Sequence, residues 1–117
     1  MNINFKIIKP HIIQENMMSN PDLIKQFLTL YQSQIPLDFQ ALKQAIMSEN
    51  LKEIANKAHH IKPTMLYIGA NQQQHKLQQI ENQAGLNNRI EIQSIFSDLE
   101  KDMDEMMIEI EMYLNKL

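Results

Sequence analysis

The sequence predicts an all-α protein, on three observations. Apolar residues recur at intervals of three and four along most of the chain, the spacing that places them on one face of a helix. Asparagine or proline stands where such runs begin, as expected at helix N-termini. The 117 residues include only two glycines and no tryptophan, which argues against loop-rich and all-β folds. We therefore expect one helical domain over residues 1–117, with residues 1–8 irregular.

Two helices are predicted in the first part of the chain. Pro10 opens a short one, since proline is tolerated in a first helical turn. The second begins at Asn20 and Pro21, a capping residue followed by a first-turn proline. Pro36 has no N–H and should kink this helix, but the apolar pattern resumes beyond it, so we expect no new domain there. The side chains predicted to face inward before the kink are Ile24, Phe27, Leu28, Tyr31 and Ile35.

Three further helices are predicted in the rest of the chain. One spans about residues 50–68, and Gly69 either ends it or lets the next helix pack closely. The next spans about residues 71–84, with Gly85 as its C-terminal stop. We interpret the glutamine-rich stretch 72–79 as a solvated face of that helix. The last helix begins at Asn88 and carries apolar residues at three-, four- and seven-residue intervals: Ile92, Leu99, Met103, Met106, Ile110 and Tyr113.

The connections between these helices are short, and short connections make consecutive helices antiparallel neighbours. The predicted architecture is therefore an up-down antiparallel four-helix bundle with a short extra N-terminal helix.

Composition limits the function and the location. The net charge is −3 and no basic run stands out, so nucleic acid is not an expected partner. No apolar stretch approaches the roughly 20 residues of a membrane span, and MNINFKIIKP does not resemble a signal peptide. The absence of cysteine fits a reducing compartment. We expect a soluble, cytoplasmic, monomeric protein. The initial methionine and the complete set of helices favour a free-standing protein over a segment of a larger one.

The helix over residues 50–68 carries the most informative pattern. Its inward stripe is formed by Ile54, Ala58, Ile61, Met65 and Ile68. At about 100° per residue, His59 falls roughly 140° from the centre of that stripe and therefore faces water. Ala55, Pro63 and Leu66 lie close to the same line, and Lys62 sits on its flank. The result is an exposed histidine in a small, partly apolar clearing with a lysine beside it.

This pattern resembles the histidine-containing phosphotransfer (HPt) domain of bacterial phosphorelays. The family motif runs Ala-His-x-hydrophobic-Lys-Gly and reaches a second glycine about five residues later. Here residues 58–63 are AHHIKP, and the second glycine is Gly69. The match departs at Pro63, where the family has glycine. The likeness extends as a helix pattern over residues 20–115 and includes Ile80-Glu81, where the family favours a hydrophobic-Glu pair.

The resemblance implies a phosphocarrier. His59 would accept phosphate from the aspartate of one receiver domain and pass it to another, and Lys62 would stabilise the charge on the phosphoryl oxygens. The partners would be response-regulator receiver domains and hybrid histidine kinases. No cofactor is implied for this chain, because the Mg²⁺ of the reaction belongs to the receiver. The residues expected to dock the partner are Ala55, Pro63, Leu66 and Gly69.

The residues alone are compatible with this chemistry but do not select it. A neutral imidazole, with an ordinary pKa of about 6.5, has a free lone pair and can attack phosphorus near neutral pH. Spacing alone would also allow His59 to be a plain surface histidine and Lys62 a solvated charge. His60 points away from the core as well, on a different side, and only the register of the motif selects His59 over it.

Missing motifs define the class of protein further. An ATP-binding kinase domain needs glycine-rich motifs, and a receiver domain needs strands, so we expect neither activity and classify the chain as a non-enzymatic transfer intermediate. A non-phosphorylated adaptor for kinases or receivers stays open, because Pro63 replaces the family glycine. A metal-holding bundle and a coiled-coil assembly protein are further alternatives. Neither is favoured, since no histidine pair has ligand spacing and the last helix's apolar stripe fits the bundle interior.

Overall fold

The computed structural model describes residues 4–117, which form five helices and no strand. The prediction of an all-α fold with a short N-terminal helix is confirmed. Residues 4–9 have no helix or strand, and residues 1–3 of the predicted irregular stretch 1–8 lie outside the described residues. The helices are α1 (Pro10–Asn16), α2 (Pro21–Met47), α3 (Leu51–Tyr67), α4 (Asn71–Gly85) and α5 (Arg89–Leu114).

The four long helices form a closed ring of neighbours. Helix α2 contacts α3, α3 contacts α4, α4 contacts α5, and α5 returns to α2, while α1 packs against α3. The bundle measures 45 × 22 × 20 Å, so its long axis follows the helices. Between residues 4 and 117, no helix is both long and apolar enough to cross a membrane.

Asparagine side chains cap three of the long helices, as their sequence positions predicted. Asn20 accepts hydrogen bonds from two backbone amides of the first turn of α2, at 3.1 and 3.2 Å. Asn50 at the start of α3 and Asn88 at the start of α5 each accept one, from the amide three residues later. Each cap satisfies donors that have no partner within the helix and contributes about 1 kcal/mol. These caps place the ends of the helices and thereby the lengths of the connections.

The apolar stripes meet in one core that runs the length of the bundle. One predicted member, Phe27, is 38% exposed, so its inward assignment is wrong. On the α2 wheel it lies about 70° from the centre of the buried stripe and so reaches only its edge, beside Tyr31. Met103 is only partly buried but packs against the core. Fully buried side chains from the four long helices include Leu28, Ile35, Ile61, Leu77, Ile80 and Ile110.

The internal prolines do not end their helices. Pro36 lies inside α2 and Pro63 lies inside α3, and each helix continues past its proline. Each proline nevertheless lacks the N–H that would bond the carbonyl one turn earlier.

The glutamine-rich stretch of α4 is not wholly solvated, contrary to the prediction. Gln73 is buried and donates a hydrogen bond of 3.1 Å to Asp102 on α5. Lys76 donates to the same carboxylate oxygen at 2.9 Å. Gln73 lies one turn before the buried Leu77, on the inward stripe of α4, which explains its burial.

The two glycines have different roles. Gly69, between α3 and α4, has φ +77°, and a Cβ placed there would lie 2.7 Å from the Cβ of Lys9. Its role is therefore a left-handed turn with the N-terminal segment packed closely over it. Gly85 is the last residue of α4, where the stop was predicted, and the left-handed backbone of this connection lies at Asn87, with φ 57°.

Replacing each glycine by alanine should have opposite effects on stability. We expect Gly69→Ala to lower the free energy of unfolding by about 1–2 kcal/mol from its backbone conformation alone, and further through the clash with Lys9. Gly85→Ala meets no atom within 4 Å and should be neutral or stabilising, by about 0.5–1 kcal/mol. Urea unfolding of both variants measures the difference. Equal effects would contradict the close approach at Gly69.

Candidate functional site

His59 lies in the middle of α3 and points out of the bundle. Its neighbours on the inward stripe, Ala58 and Ile61, are fully buried, and this burial fixes the rotation of the helix about its axis. The side chain of His59 is consequently 71% exposed. A surface of another protein can therefore reach the imidazole.

Glu81 of α4 holds one nitrogen of this imidazole. The Nδ1 atom of His59 lies 3.1 Å from Oε1 of Glu81. An ionised carboxylate only accepts hydrogen bonds, so the network assigns the ring hydrogen to Nδ1. The other nitrogen, Nε2, then keeps its lone pair, and no hydrogen-bond partner of it is found among the described residues. The contact thus selects one tautomer and leaves Nε2 as the ring nitrogen with an available lone pair.

Lys62 converges on the same carboxylate. Its Nζ lies 3.0 Å from Oε1 of Glu81 and donates a hydrogen bond of 2.6 Å to the side-chain oxygen of Gln78. The lysine side chain is only 13% exposed. An ammonium has three N–H groups, and these two contacts leave one of them free. The structure therefore joins His59, Lys62 and Glu81 into one hydrogen-bonded cluster between α3 and α4.

The pKa of Glu81 records a balance of opposing effects. Burial raises the pKa of its carboxyl. The hydrogen bonds from Lys62 and His59, together with the charges of these groups, lower it by more, so the net pKa lies below its ordinary value of 4.5. The carboxyl is therefore ionised near neutral pH, as the assigned tautomer of His59 requires.

The remaining candidate residues fall into two groups. Ala55, Pro63 and Leu66 lie one turn before, one turn after and two turns after His59, and the last two are exposed. Gly69 is buried beneath the N-terminal segment, so it offers no exposed surface to a partner.

His60 is separate from this cluster. Its side chain is as exposed as that of His59, but its Nε2 lies 4.0 Å from Asp38 of α2, on the other side of α3. It contacts neither Lys62 nor Glu81. Within residues 4–117, no group of three or more His, Asp and Glu side chains is placed to hold a metal ion.

Sequence reasoning missed the contacts of Glu81 and Gln78. The sequence did single out Glu81, which follows the buried Ile80 in the hydrophobic-Glu pair that the motif favours. That pair places Glu81 beside the inward stripe of α4 but does not say which residue of α3 it faces. Nothing in the sequence indicated the contact of Gln78 with Lys62. Gln78 lies one turn before Asn82, to which it donates a hydrogen bond of 2.9 Å.

The charge of Lys62 should be measurable in the titration of Glu81. Because the folded-state pKa of Glu81 is lowered, its contacts stabilise the fold above pH 4.5 and lose this effect as the pH falls through the folded-state pKa. We expect Lys62→Met to raise that pKa, since the effect of burial then faces less opposition. NMR detection of the carboxyl carbon gives the titration. Lys76→Met, which removes a charge paired with Asp102, is the control and should leave Glu81 unchanged.

Comparison with known proteins places this site in a family. A family model described as the Hpt domain matches residues 26–113, about three quarters of the chain, and the matched range includes His59, Lys62 and Glu81. Searches of curated proteins and of solved structures found no match. Since the family model covers well over half of the sequence, the chain belongs to the Hpt domain family.

Proposed function

We propose that this protein is a histidine phosphocarrier in a two-component phosphorelay. Membership of the Hpt family implies histidine phosphotransfer. The observation that carries the assignment to a residue is the exposed His59, whose Nδ1 is held by Glu81 while Nε2 stays free. His59 accepts phosphate from a receiver-domain aspartate and passes it to a second receiver. The partners are response regulators and hybrid histidine kinases, and the reaction takes place in the cytoplasm.

The transfer step needs no proton movement in this chain. The lone pair of Nε2 attacks the phosphorus of the aspartyl phosphate, an N–P bond forms, and the P–O bond to the aspartate breaks to release its carboxylate. The ring keeps its hydrogen on Nδ1 and becomes positively charged. Glu81, 3.1 Å from Nδ1, offsets that charge. In the second step an aspartate of the next receiver attacks the same phosphorus, and the N–P bond breaks.

Lys62 supports this step in two ways. Its ammonium holds the carboxylate of Glu81 at 3.0 Å, which keeps Glu81 in position for His59. Its remaining N–H and its positive charge lie one turn from His59 and favour negative charge on the phosphoryl oxygens. The chain supplies no ATP site in this mechanism, and the metal of the reaction belongs to the receiver.

The surface around His59 is suited to a protein partner. Pro63 and Leu66 are exposed along α3, and Ala55 is half-buried on the other side of the histidine. A receiver that brings its aspartate to Nε2 covers these residues.

A non-phosphorylated adaptor is the second candidate function, and Pro63 is the observation that favours it. The proline ring is exposed one turn from His59, where the motif has glycine. In an adaptor it would let a receiver dock without bringing its aspartate to Nε2. Phosphate transfer separates the two functions, because only the phosphocarrier becomes labelled.

Substitution of the two adjacent histidines tests the acceptor. We expect His59→Gln to abolish labelling by phosphorylated receiver domains and by the small phosphodonor phosphoramidate, because within residues 4–117 no other histidine shares a carboxylate with a lysine. His60→Gln is the matched control and should retain most of the labelling. The label should be stable to base and labile to acid, as for phosphohistidine. Labelling of His59→Gln would refute the assignment, and a folded wild type without label from any donor would favour the adaptor.

Loss of the lysine should slow transfer without unfolding the bundle. We expect Lys62→Ala to reduce the rate of transfer from a receiver by about tenfold or more, since it removes the charge beside the phosphoryl group and loosens Glu81. Rapid-quench measurement gives the rate, and circular dichroism checks the fold. Lys76→Ala, on the far side of α4, should transfer at the wild-type rate. An unchanged rate in Lys62→Ala would remove Lys62 from the mechanism.

A further inference from the structure

A buried carboxylate fastens the N-terminal segment to the bundle. We call residues 4–9 the strap. Glu109 of α5 is 3% exposed and accepts three backbone hydrogen bonds from the strap. Its Oε2 accepts from the amide of Lys6 at 3.0 Å, and its Oε1 accepts from Ile7 at 2.9 Å and from Ile8 at 3.0 Å. One side chain thus supplies the acceptors for three consecutive amides.

This attachment depends on the charge and on the shape of the carboxylate. A buried carboxylate is costly unless hydrogen bonds replace its hydration, and bonds to an ionised acceptor are stronger than neutral ones. The strap forms no helix or strand that could offer these amides another partner. Two further contacts extend the attachment. The ring of Phe5 packs edge-on against that of Tyr113. The backbone amide of Lys9 donates a hydrogen bond of 2.9 Å to the carbonyl of Ile68. Loss of Glu109 would leave three donors without an acceptor.

The strap leads directly into α1, and α1 lies beside α3. Ile13 of α1 and Met17, which follows the last residue of α1, are buried in the core, and Asn16 donates a hydrogen bond of 3.2 Å to the carbonyl of Tyr67. Because α1 has only seven residues, its position depends on the segment that precedes it as well as on these contacts.

Helix α1 forms one wall of a groove that begins next to the phosphoacceptor. The groove has a volume of about 370 Å³. Pro63, the nearest of its residues to His59, lies four positions later and so about 6 Å along the helix axis. Leu66 and Tyr67 are half-exposed and give the groove its apolar floor. The lining residues are Ile12, Glu15 and Asn16 from α1, and Pro63, Leu66 and Tyr67 from α3.

The occupant of this groove follows from its distance to His59. A standard protein interface covers about 800 Å² on each partner, which corresponds to a disc about 16 Å in radius. A receiver centred on His59 therefore reaches Pro63 and Leu66, at about 6 and 10 Å along α3, and the α1 wall opposite them. A different macromolecule in the groove would block that receiver.

Resting on the proposed function, we propose that Glu109 is a positioning residue for partner recognition. Through the strap it holds α1 as one wall of the surface that the receiver contacts. The strap and α1 lie outside the matched range 26–113, whereas His59 lies inside it. The family segment supplies the chemistry, and the fastened N-terminal segment helps to select the receiver. The apolar side chain of Ile12 and the charge of Glu15 provide the contacts that distinguish one receiver surface from another.

The test separates recognition from chemistry. In Glu109→Gln the amide oxygen can still accept from Ile7 and Ile8, but the NH₂ group faces the N–H of Lys6. Glu105→Gln, on the exposed side of the same helix, is the matched control. Three quantities are measured: the rate of labelling by phosphoramidate, the rate of transfer from a saturating receiver, and the receiver concentration that gives half of that rate. Hydrogen exchange of the strap amides reports their release.

We expect Glu109→Gln to raise the half-saturating receiver concentration roughly tenfold. The phosphoramidate rate and the saturated transfer rate should stay at wild-type values, and the strap amides should exchange faster. General destabilisation would not produce this split. Glu105→Gln should change none of these quantities. Ile12→Gln alters the α1 wall and leaves the hydrogen bonds between Glu109 and the strap intact. It should raise the half-saturating concentration while the strap amides exchange at the wild-type rate.

Two outcomes would overturn the inference and spare the proposed function. One is a released strap with an unchanged half-saturating concentration. The other is an unchanged half-saturating concentration in Ile12→Gln. Failure of the proposed function has a different signature, since wild-type protein would then take no label at His59 even from phosphoramidate.

Discussion

The burial of one face of α3 is the constraint on which the rest of the structure depends. Ala58, Ile61 and Met65 are almost completely removed from water, and rotating the helix would expose them at roughly 2 kcal/mol for each large side chain. With the rotation fixed, His59 points outward. The neighbouring helix then decides what the histidine meets. His59 is exposed because Ala58, Ile61 and Met65, on the opposite side of the helix, are buried.

Helix α4 fixes the tautomer and the orientation of the exposed His59 through Glu81. Glu81 loses hydration through partial burial, and that loss is outweighed by hydrogen bonds from Lys62 and His59, which keep its pKa below the ordinary value. The same bonds direct Nδ1 towards the carboxylate and Nε2 towards solvent. A lysine that is largely covered serves this arrangement better than a fully exposed one, because it holds the carboxylate in place and keeps its charge close to the imidazole.

Local signals predicted most of the fold, and contacts between distant residues escaped prediction. The asparagine caps and the apolar period gave the helix starts and the outward direction of His59, because both act within a few residues. Phe27 was misassigned since a wheel does not show where a stripe ends against its neighbours. Gln73 was wrongly assigned to the solvated face of α4. A polar side chain is buried only where it finds a hydrogen-bond partner, here Asp102, and the sequence does not show that contact. The hydrogen bonds of Glu109 to the strap join residues about a hundred positions apart, and no periodicity in the sequence could indicate them.

The motif glycine shows how a family pattern and a particular chain can diverge. Gly69 matches the motif, and the resemblance suggested that it faces a partner. Its positive φ and the close approach of Lys9 give it a different role, as the point where the strap crosses the end of α3. The strap occupies that end of the helix and continues into α1, while His59 and Glu81 lie about two turns or more away. Changes in the strap or in α1 can therefore alter the surface that a receiver contacts without moving the imidazole or its carboxylate. On the proposed function, the phosphotransfer chemistry and part of the surface that contacts the partner then belong to different segments of the sequence.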